Sequence, residues 1–339
     1  MPHHLEQGSA RQLQPMDPVH EESRWRCICY PVASPPAESA MIVRPRPQPW
    51  QLLTIVRGSI IPKITWRVLA ITALSCLIVA LHRTGLVAGF RSGTAPFSIL
   101  AIALSVFLGF RNNACYERWW EGRKQWGELI LQSRAFAREC LAVLPADTAA
   151  TNVRATIGYA HALAARLRGQ QDCDAAVVWL EPVELARRDN LPDAILHAIN
   201  QNIAESRHQG VIGDVIYQGL MLHLHALTAV QAACERIRNT PLPFAYSLLL
   251  HRTAWLFCLL LPFGLVSSLG LMTPVVVSII AYTFFGLDEL GDELEEPFGL
   301  AANDLPLSAM VRLIEIDLLS ALGEQDLPPS LLPVDFVLL

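Results

Sequence analysis

The sequence predicts an all-α membrane protein, with four transmembrane helices in two short hairpins and a large helical cytosolic region. Charged residues make up 17% of the 339-residue chain, against about 25% in a typical soluble domain. Residues 253–287 contain no charged side chain at all. Apolar residues recur at three- and four-residue spacing through the middle of the chain, which is typical of helices. This composition argues against a disordered protein, a nucleic-acid-binding protein and an ordinary cytosolic enzyme.

Residues 1–40 differ from the rest of the chain. They contain proline, serine, glutamate and histidine without a periodic apolar pattern, and they lack the apolar core of a signal peptide. Met41, which follows this segment, is a better candidate for the first residue of the protein. We therefore predict that residues 1–40 are either a disordered extension or the product of a start codon assigned too far upstream.

Residues 41–110 are predicted to hold an N-terminal segment and the first transmembrane hairpin. Its apolar blocks are residues 68–81 and 96–110. As a helix, the second block would rise about 22 Å, which is less than the hydrocarbon core of about 30 Å. This block must therefore either continue beyond Phe110 into polar sequence or lie inside a bundle, because charged residues at membrane depth need protein or water around them.

Residues 253–287 are predicted to form the second transmembrane hairpin. As a single helix, these 35 uncharged positions would rise about 52 Å, which is too long for one crossing. Thr273 and Pro274 form a good helix start, with threonine as the cap and proline in the first turn. We expect one helix to end near Leu269 and the next to run from Pro274 to about Leu287.

The remaining segments are predicted to lie in the cytoplasm. Residues 111–252 are expected to form the helical cytosolic region, and residues 288–339 an acidic C-terminal segment. Lysine and arginine cluster beside the helix ends that face this region, so both termini should be cytoplasmic. The charges are also divided along the chain, with a balance of +9 over residues 41–142 and −11 over residues 286–339.

Three apolar residues of the second block recur at intervals of four: Ile102, Val106 and Phe110. This spacing puts them on one face of a helix. They could simply pack in the bilayer, or they could form a hydrophobic pore constriction that gates by dewetting. Since four crossings are too few to enclose a pore, the second interpretation requires a ring of subunits.

An acidic run follows the second hairpin. Carboxylates this close could hold calcium, which takes six to eight oxygen ligands, although their spacing is not that of an EF-hand loop. A solvated or salt-bridged acidic face is the favoured interpretation, and a cation site is the alternative. No catalytic motif accompanies the run, so we expect no enzyme activity. The run comprises Asp288, Glu289, Asp292, Glu293, Glu295 and Glu296.

Five blocks of the sequence resemble the bacterial branch of the bestrophin family, in the same order and spacing over residues 41–325. The two most specific blocks lie in the helix that carries the apolar stripe and before the second hairpin. The blocks read MIVRP, GSIIPKITWRV, APFSILAIALSVFLGFRNNACYERWWEGRKQWGEL, CERIRNTPLPFAYSLLLHRT and DELEEPFGLAANDLPL.

The resemblance implies a homopentameric ion channel of the bacterial inner membrane, with the pore along the five-fold axis. Its membrane neck would be lined by Ile102, Val106 and Phe110. A second constriction at the cytosolic end would fall near Val215, with Ile216 as the alternative residue. The implied partners are other copies of the chain, membrane lipid and small inorganic ions, and nucleic acid is not among them.

The resemblance also bears on the ion and on cofactors. Eukaryotic members carry a calcium clasp on an unbroken acidic run, whereas Gly291 interrupts the run here, so we predict no cofactor and do not favour calcium gating. We predict passive conduction of anions such as chloride. A sodium or potassium channel of the same fold is the first alternative, and a non-conducting membrane scaffold or sensor is the second.

Overall fold

The described part of the chain is helical and contains no β-strand, as the apolar spacing predicts. All of these residues belong to one unit, which spans residues 38–339. The predicted extension, residues 1–40, lies outside the described residues. The computed structural model describes residues 41–42, 48, 50, 55–56, 58–86, 95–170, 174–180, 189–333, 336 and 338.

Proline and glycine set most of the helix limits, and the helices are named here in chain order. They are α1 (Ile61–Arg83), α2 (Ala95–Val143), α3 (Ala146–Leu167), α4 (Asp174–Val177), α5 (Leu191–His208), α6 (Asp214–Asn239), α7 (Phe244–Leu269), α8 (Thr273–Glu295) and α9 (Leu307–Ala321).

Three helical segments of the described chain are long and apolar enough to cross a membrane. They are α1, α2 and the segment Phe244–Glu295, which contains both α7 and α8. A short 3-10 turn at Gly270–Met272 separates these two helices, and Gly270 has a φ of +52° there, a region that favours glycine. The all-helical membrane fold is therefore confirmed, whereas the count of four crossings stays a prediction.

Several helices extend further than the apolar blocks predict. Helix α2 continues beyond Phe110 to Val143, because no proline interrupts it before Pro145. Helix α8 passes Leu287 and ends at Glu295, just before the Glu296–Pro297 pair, where the α conformation is disfavoured. The predicted boundaries after residues 110, 252 and 287 thus fall inside continuous helices.

The start of α8 also differs from the expectation. Thr273 is the first helical residue, and the cap position is occupied by Met272 without a side-chain hydrogen bond. Since the 3-10 turn leads directly into the helix, no side-chain cap is needed to redirect the backbone. Pro274 lies in the first turn as predicted.

Helix α2 joins two apolar clusters. Its first half contributes Leu104 and Leu108 to a cluster with Phe257 and Phe285 of the membrane-crossing segments. Its second half contributes to a larger cluster with α3, α5, α6 and α9, in which Trp126 is fully buried. Each Å² of apolar surface that is buried stabilises the fold by roughly 25 cal/mol. The two clusters therefore hold one side of α2 against its neighbours in both halves of the helix.

Candidate pore-lining face and its ionic anchor

Helix α2 has two opposite faces. Leu104, Leu108 and, further along, Trp126 are buried on one side. Ile102, Val106 and Phe110 lie on the other side and are 66%, 49% and 65% exposed. Successive residues of a helix are rotated by about 100°, which puts the two sets on nearly opposite sides of the helix. The predicted stripe is therefore an open apolar face within the single chain, and we call it the open face.

Helix α7 positions the start of the open face. A side chain at Gly264 of α7 would overlap the ring of Phe97, so glycine allows the two helices to approach closely. The hydroxyl of Tyr246 donates a hydrogen bond to the carbonyl oxygen of Phe107 at 3.1 Å. These contacts hold the backbone that carries the stripe while leaving its side chains uncovered.

A buried ion cluster fixes α2 where the open face reaches Phe110. The next residue, Arg111, is only 1% exposed. Its Nη1 lies 3.0 Å from the Asp288 Oδ1 and donates to the Asp288 carbonyl oxygen at 3.1 Å. Its Nη2 contacts Asp292 and lies 3.6 Å from the Glu295 Oε2. A buried arginine needs such partners, because an unpaired charge in the interior costs several kcal/mol.

The glycine that interrupts the acidic run has a steric role here. A Cβ atom at Gly291 would lie 2.7 Å from the Asn112 Oδ1 and 3.1 Å from the Arg111 Nη1. Helix α8 therefore presents bare backbone where the arginine crosses it. Replacing the glycine would push the guanidinium away from its carboxylates.

Helical spacing divides the predicted acidic residues between two neighbours. Asp288, Asp292 and Glu295 lie on the face of α8 that meets Arg111. The other face meets α1, where Glu289 Oε2 lies 3.3 Å from Arg67 Nη1. This arrangement fits the salt-bridged interpretation of the run, since its carboxylates neutralise cations of two membrane-crossing segments.

Lysine and histidine complete this network. Lys63 Nζ lies 3.2 Å from the Glu293 Oε1 and 3.6 Å from the Glu289 Oε1. The second oxygen of Asp288 contacts His251 Nδ1 at 2.7 Å. Glu296 forms no ion pair within the described chain. The described residues also contain no group of three or more histidine, cysteine or acidic side chains placed to hold a metal ion.

The residues predicted for the second constriction lie in the first turn of α6. Val215 is 83% exposed and Ile216 is 40% exposed. Arg207 of α5 fixes this turn, because its Nε lies 2.7 Å from the Asp214 Oδ1 and its guanidinium stacks over the Tyr217 ring at 5.1 Å. The two apolar side chains thus remain uncovered on a turn that is held in place.

The Arg111 anchor was not predicted from the sequence. A signal was present, since a single arginine directly after an apolar helical stripe needs buried partners. The carboxylates at 288, 292 and 295 recur at helical spacing, which predicts that they share a face. What the pattern could not provide was the register between α2 and α8.

Known proteins resemble this chain over most of its length. The family described as Bacterial/Fungal Bestrophin protein matches residues 41–320. A voltage-dependent anion channel-forming protein of Mesorhizobium japonicum is 41% identical over 300 residues, covering 87% of this chain and 96% of the relative. The voltage-dependent anion channel-forming protein YneE of Escherichia coli is 42% identical over 298 residues, covering 86% of this chain and 98% of the relative.

A solved structure matches as well. The crystal structure of a bacterial bestrophin homolog from Klebsiella pneumoniae superposes with a TM-score of 0.72 at 38% sequence identity, covering 78% of this chain and 100% of that chain. The match of sequence, family and fold confirms the resemblance carried by the five sequence blocks. The chain therefore belongs to the bestrophin family of membrane ion channels, in its bacterial and fungal branch.

Proposed function

We propose that this chain forms a homopentameric channel that conducts anions such as chloride passively across the bacterial inner membrane. The observation that carries the proposal is the open face of α2. Three apolar side chains are uncovered in the single chain, while the adjacent arginine is buried and paired with α8. A ring of subunits would turn these faces into a narrow apolar neck.

The proposed ion path has two narrow points. Ions cross the neck at Ile102, Val106 and Phe110, where apolar rings control passage through their wetting. They leave near Val215 and Ile216, on the turn of α6 fixed by α5. Apolar rings carry no charge, so selectivity for anions depends on dehydration cost and on polar groups beside the path.

The proposed topology follows from the same arrangement. Helices α1, α2, α7 and α8 each cross the membrane, and both termini lie in the cytoplasm. The segments 111–252 and 288–339 then form the cytosolic part, with α2 extending from the bilayer into it. The names of the relatives, which describe anion channel-forming proteins, support the choice of anion.

The test is electrophysiology of the purified protein in a planar bilayer under a KCl gradient. We expect a conductance that reverses close to the chloride equilibrium potential, from a particle that native mass spectrometry counts as five copies. Reversal close to the potassium potential would instead establish the cation channel. No conductance from the assembled protein would favour the scaffold.

A matched pair of variants separates a pore from a packing surface. Val106→Ala removes two methyl groups from the neck and should change the single-channel conductance or the open probability. Val178→Ala makes the same change at an exposed valine outside the membrane-crossing segments and should leave both unchanged. Equal effects of the two substitutions would contradict the assignment of the neck.

A further inference from the structure

The open face of α2 continues beyond Phe110 in the same register. At about 100° per residue, Asn113, Glu117 and Lys124 share the side of the helix that carries Val106. All three are exposed in the chain. Buried residues keep to the opposite side over the same stretch, from Arg111 through Cys115 to Trp126. The stripe of apolar side chains therefore leads directly into polar ones along one helix face.

Glu117 is the first charged side chain on this face after the neck. Its Oε1 accepts a hydrogen bond from the Asn113 Nδ2 at 2.8 Å, and it forms no ion pair within the described part of the chain. Glu121 differs, because its Oε2 lies 2.6 Å from the Lys124 Nζ. Of these two carboxylates, only that of Glu117 lacks an ion-pair partner within the described residues.

Two neighbouring arginines form no ion pair with this carboxylate within the described residues. Arg118 instead donates hydrogen bonds to the carbonyl oxygens of Ile237, Thr240 and Glu295. Its charge thus complements the negative ends of α6 and α8. Arg118, Arg236 and Glu117 all line one cavity of about 440 Å³ between α2 and the end of α6, and Arg236 forms no ion pair with Glu117 among the described contacts.

We propose that Glu117 is a selectivity-determining residue of the pore, which lowers the permeability to anions relative to cations just past the neck. This inference rests on the proposed function, since it places the open face of α2 along the ion path. In a ring of subunits the carboxylates repeat around the axis, and their potentials add at the path. Anions that have passed the uncharged neck would then be repelled by this ring of carboxylates.

The size of the effect can be estimated. A unit charge about 7 Å from the path changes the energy of a monovalent ion by about RT in water. It raises the energy of the anion and lowers that of the cation, so their permeability ratio changes by about seven-fold. Several copies of the charge increase this factor. Because the carboxylate is solvent-exposed, the effect should shrink as the salt concentration rises and screening strengthens.

The experiment measures reversal potentials of Glu117→Gln in a planar bilayer under a KCl gradient, at about 0.1 M and about 1 M salt. We expect the chloride-to-potassium permeability ratio to rise about seven-fold or more at low salt and less at high salt. Asn113→Asp adds a charge one turn closer to the neck and should lower the ratio. It also tests the proposal independently if the first variant fails to assemble.

Glu205→Gln is the matched control. Glu205 is an exposed carboxylate of α5 that accepts a hydrogen bond from the amide of Gln209 four residues later, at 2.8 Å. It has the same kind of partner as Glu117, but it lies on a different helix. An equal shift from Glu205→Gln would overturn the proposal, because the effect would then come from general surface charge.

The outcomes distinguish this inference from the proposed function. A conducting parent protein with unchanged permeability ratios in Glu117→Gln and Asn113→Asp would contradict the role of Glu117 and leave the channel in place. A parent protein that assembles without conducting would contradict the proposed function, and the inference with it.

Discussion

The two faces of α2 consist of similar residues and have different surroundings. Leu104 and Leu108 are buried in the apolar cluster that contains Phe257 and Phe285. The stripe residues Ile102, Val106 and Phe110 are exposed in the single chain. Hydrophobicity alone therefore does not distinguish the buried face from the open face. The two faces differ in their neighbours, and one of the neighbours of the buried face is the ion cluster that holds α2 to α8.

The largest effect is expected from removing the anchor of the buried face. Arg111→Met would leave the Asp288 carboxylate, which is 1% exposed, without its buried cation. Breaking a buried pair from one side typically costs about 3–5 kcal/mol. We expect that loss in the free energy of unfolding, measured by denaturant titration in detergent micelles. The double variant Arg111→Met with Asp288→Asn should recover part of it.

An exposed ion pair provides the control for the anchor. Arg134 Nη2 lies 2.5 Å from the Asp317 Oδ2 at the protein surface, where such pairs contribute at most about 1 kcal/mol. Arg134→Met should therefore lower the free energy of unfolding far less than Arg111→Met. Similar losses in both variants would show that burial of the anchor is not what matters.

The next test compares one substitution on each face of α2. Leu108 is fully buried, so Leu108→Ala should cost about 2–5 kcal/mol of unfolding free energy. Phe110→Ala, two residues further on the open face, should cost much less and should instead change the channel conductance. The comparison between the faces fails if Phe110→Ala destabilises the protein as strongly as Leu108→Ala.

The free energy of unfolding should also depend on pH. The dependence comes from the loop between α8 and α9, which packs against the buried face of α2 near Gly122. Burial raises the pKa of Asp304 to about 6, although its carboxylate accepts a hydrogen bond from the Ala301 N–H. A raised carboxyl pKa gives stability at low pH that is lost as the pH rises from about 4 to about 6. Asp304→Asn should remove this dependence.

The measurement is the difference in unfolding free energy between Asp304→Asn and the parent protein at pH 4 and pH 8. It should shift in favour of the variant by up to about 3 kcal/mol at the higher pH. Parallel stability curves for the two proteins would contradict the assigned burial of this carboxyl.

The smallest effects are expected from glycines on different sides of α2. A Cβ atom at Gly122 would lie 3.1 Å from the Phe298 ring, whereas one at Gly109 meets no atom within 4 Å. Gly122→Ala should therefore destabilise the protein by about 1–3 kcal/mol through overpacking. Gly109→Ala should change the unfolding free energy by about 1 kcal/mol or less. A larger loss of thermal stability in Gly109→Ala than in Gly122→Ala would contradict the assignment of the buried and open faces.

Much of the fold could be predicted from the sequence, because its signals are local. The uncharged stretch and the apolar periodicity predicted the helices, and the end of α7 at Leu269 agrees with the expected position. The stripe at Ile102, Val106 and Phe110 was identified from spacing, and the structure places it on one exposed face. The family blocks then indicated a channel, which comparison with known proteins supports at the level of the family.

The rest depends on register and distance, which spacing does not encode. Nothing in the run from Asp288 to Glu296 states that one of its faces meets α2 and the other meets α1. The sequence left open whether α2 continues beyond Phe110, because hydropathy falls there although nothing breaks the helix; the structure extends it to Val143. The ion pair of Glu121 with Lys124, and the lack of one at Glu117 among the described residues, also became visible only in the three-dimensional structure.

If the open face of α2 lines the ion path, a charged thiol reagent should reach a cysteine on that face from the pore. The measurement is block of current by such a reagent in Phe110→Cys and in Leu108→Cys, compared with the parent protein and its native cysteines. We predict rapid block of Phe110→Cys and no additional block of Leu108→Cys. Block of Leu108→Cys with an unaffected Phe110→Cys would show that the open face does not line the ion path.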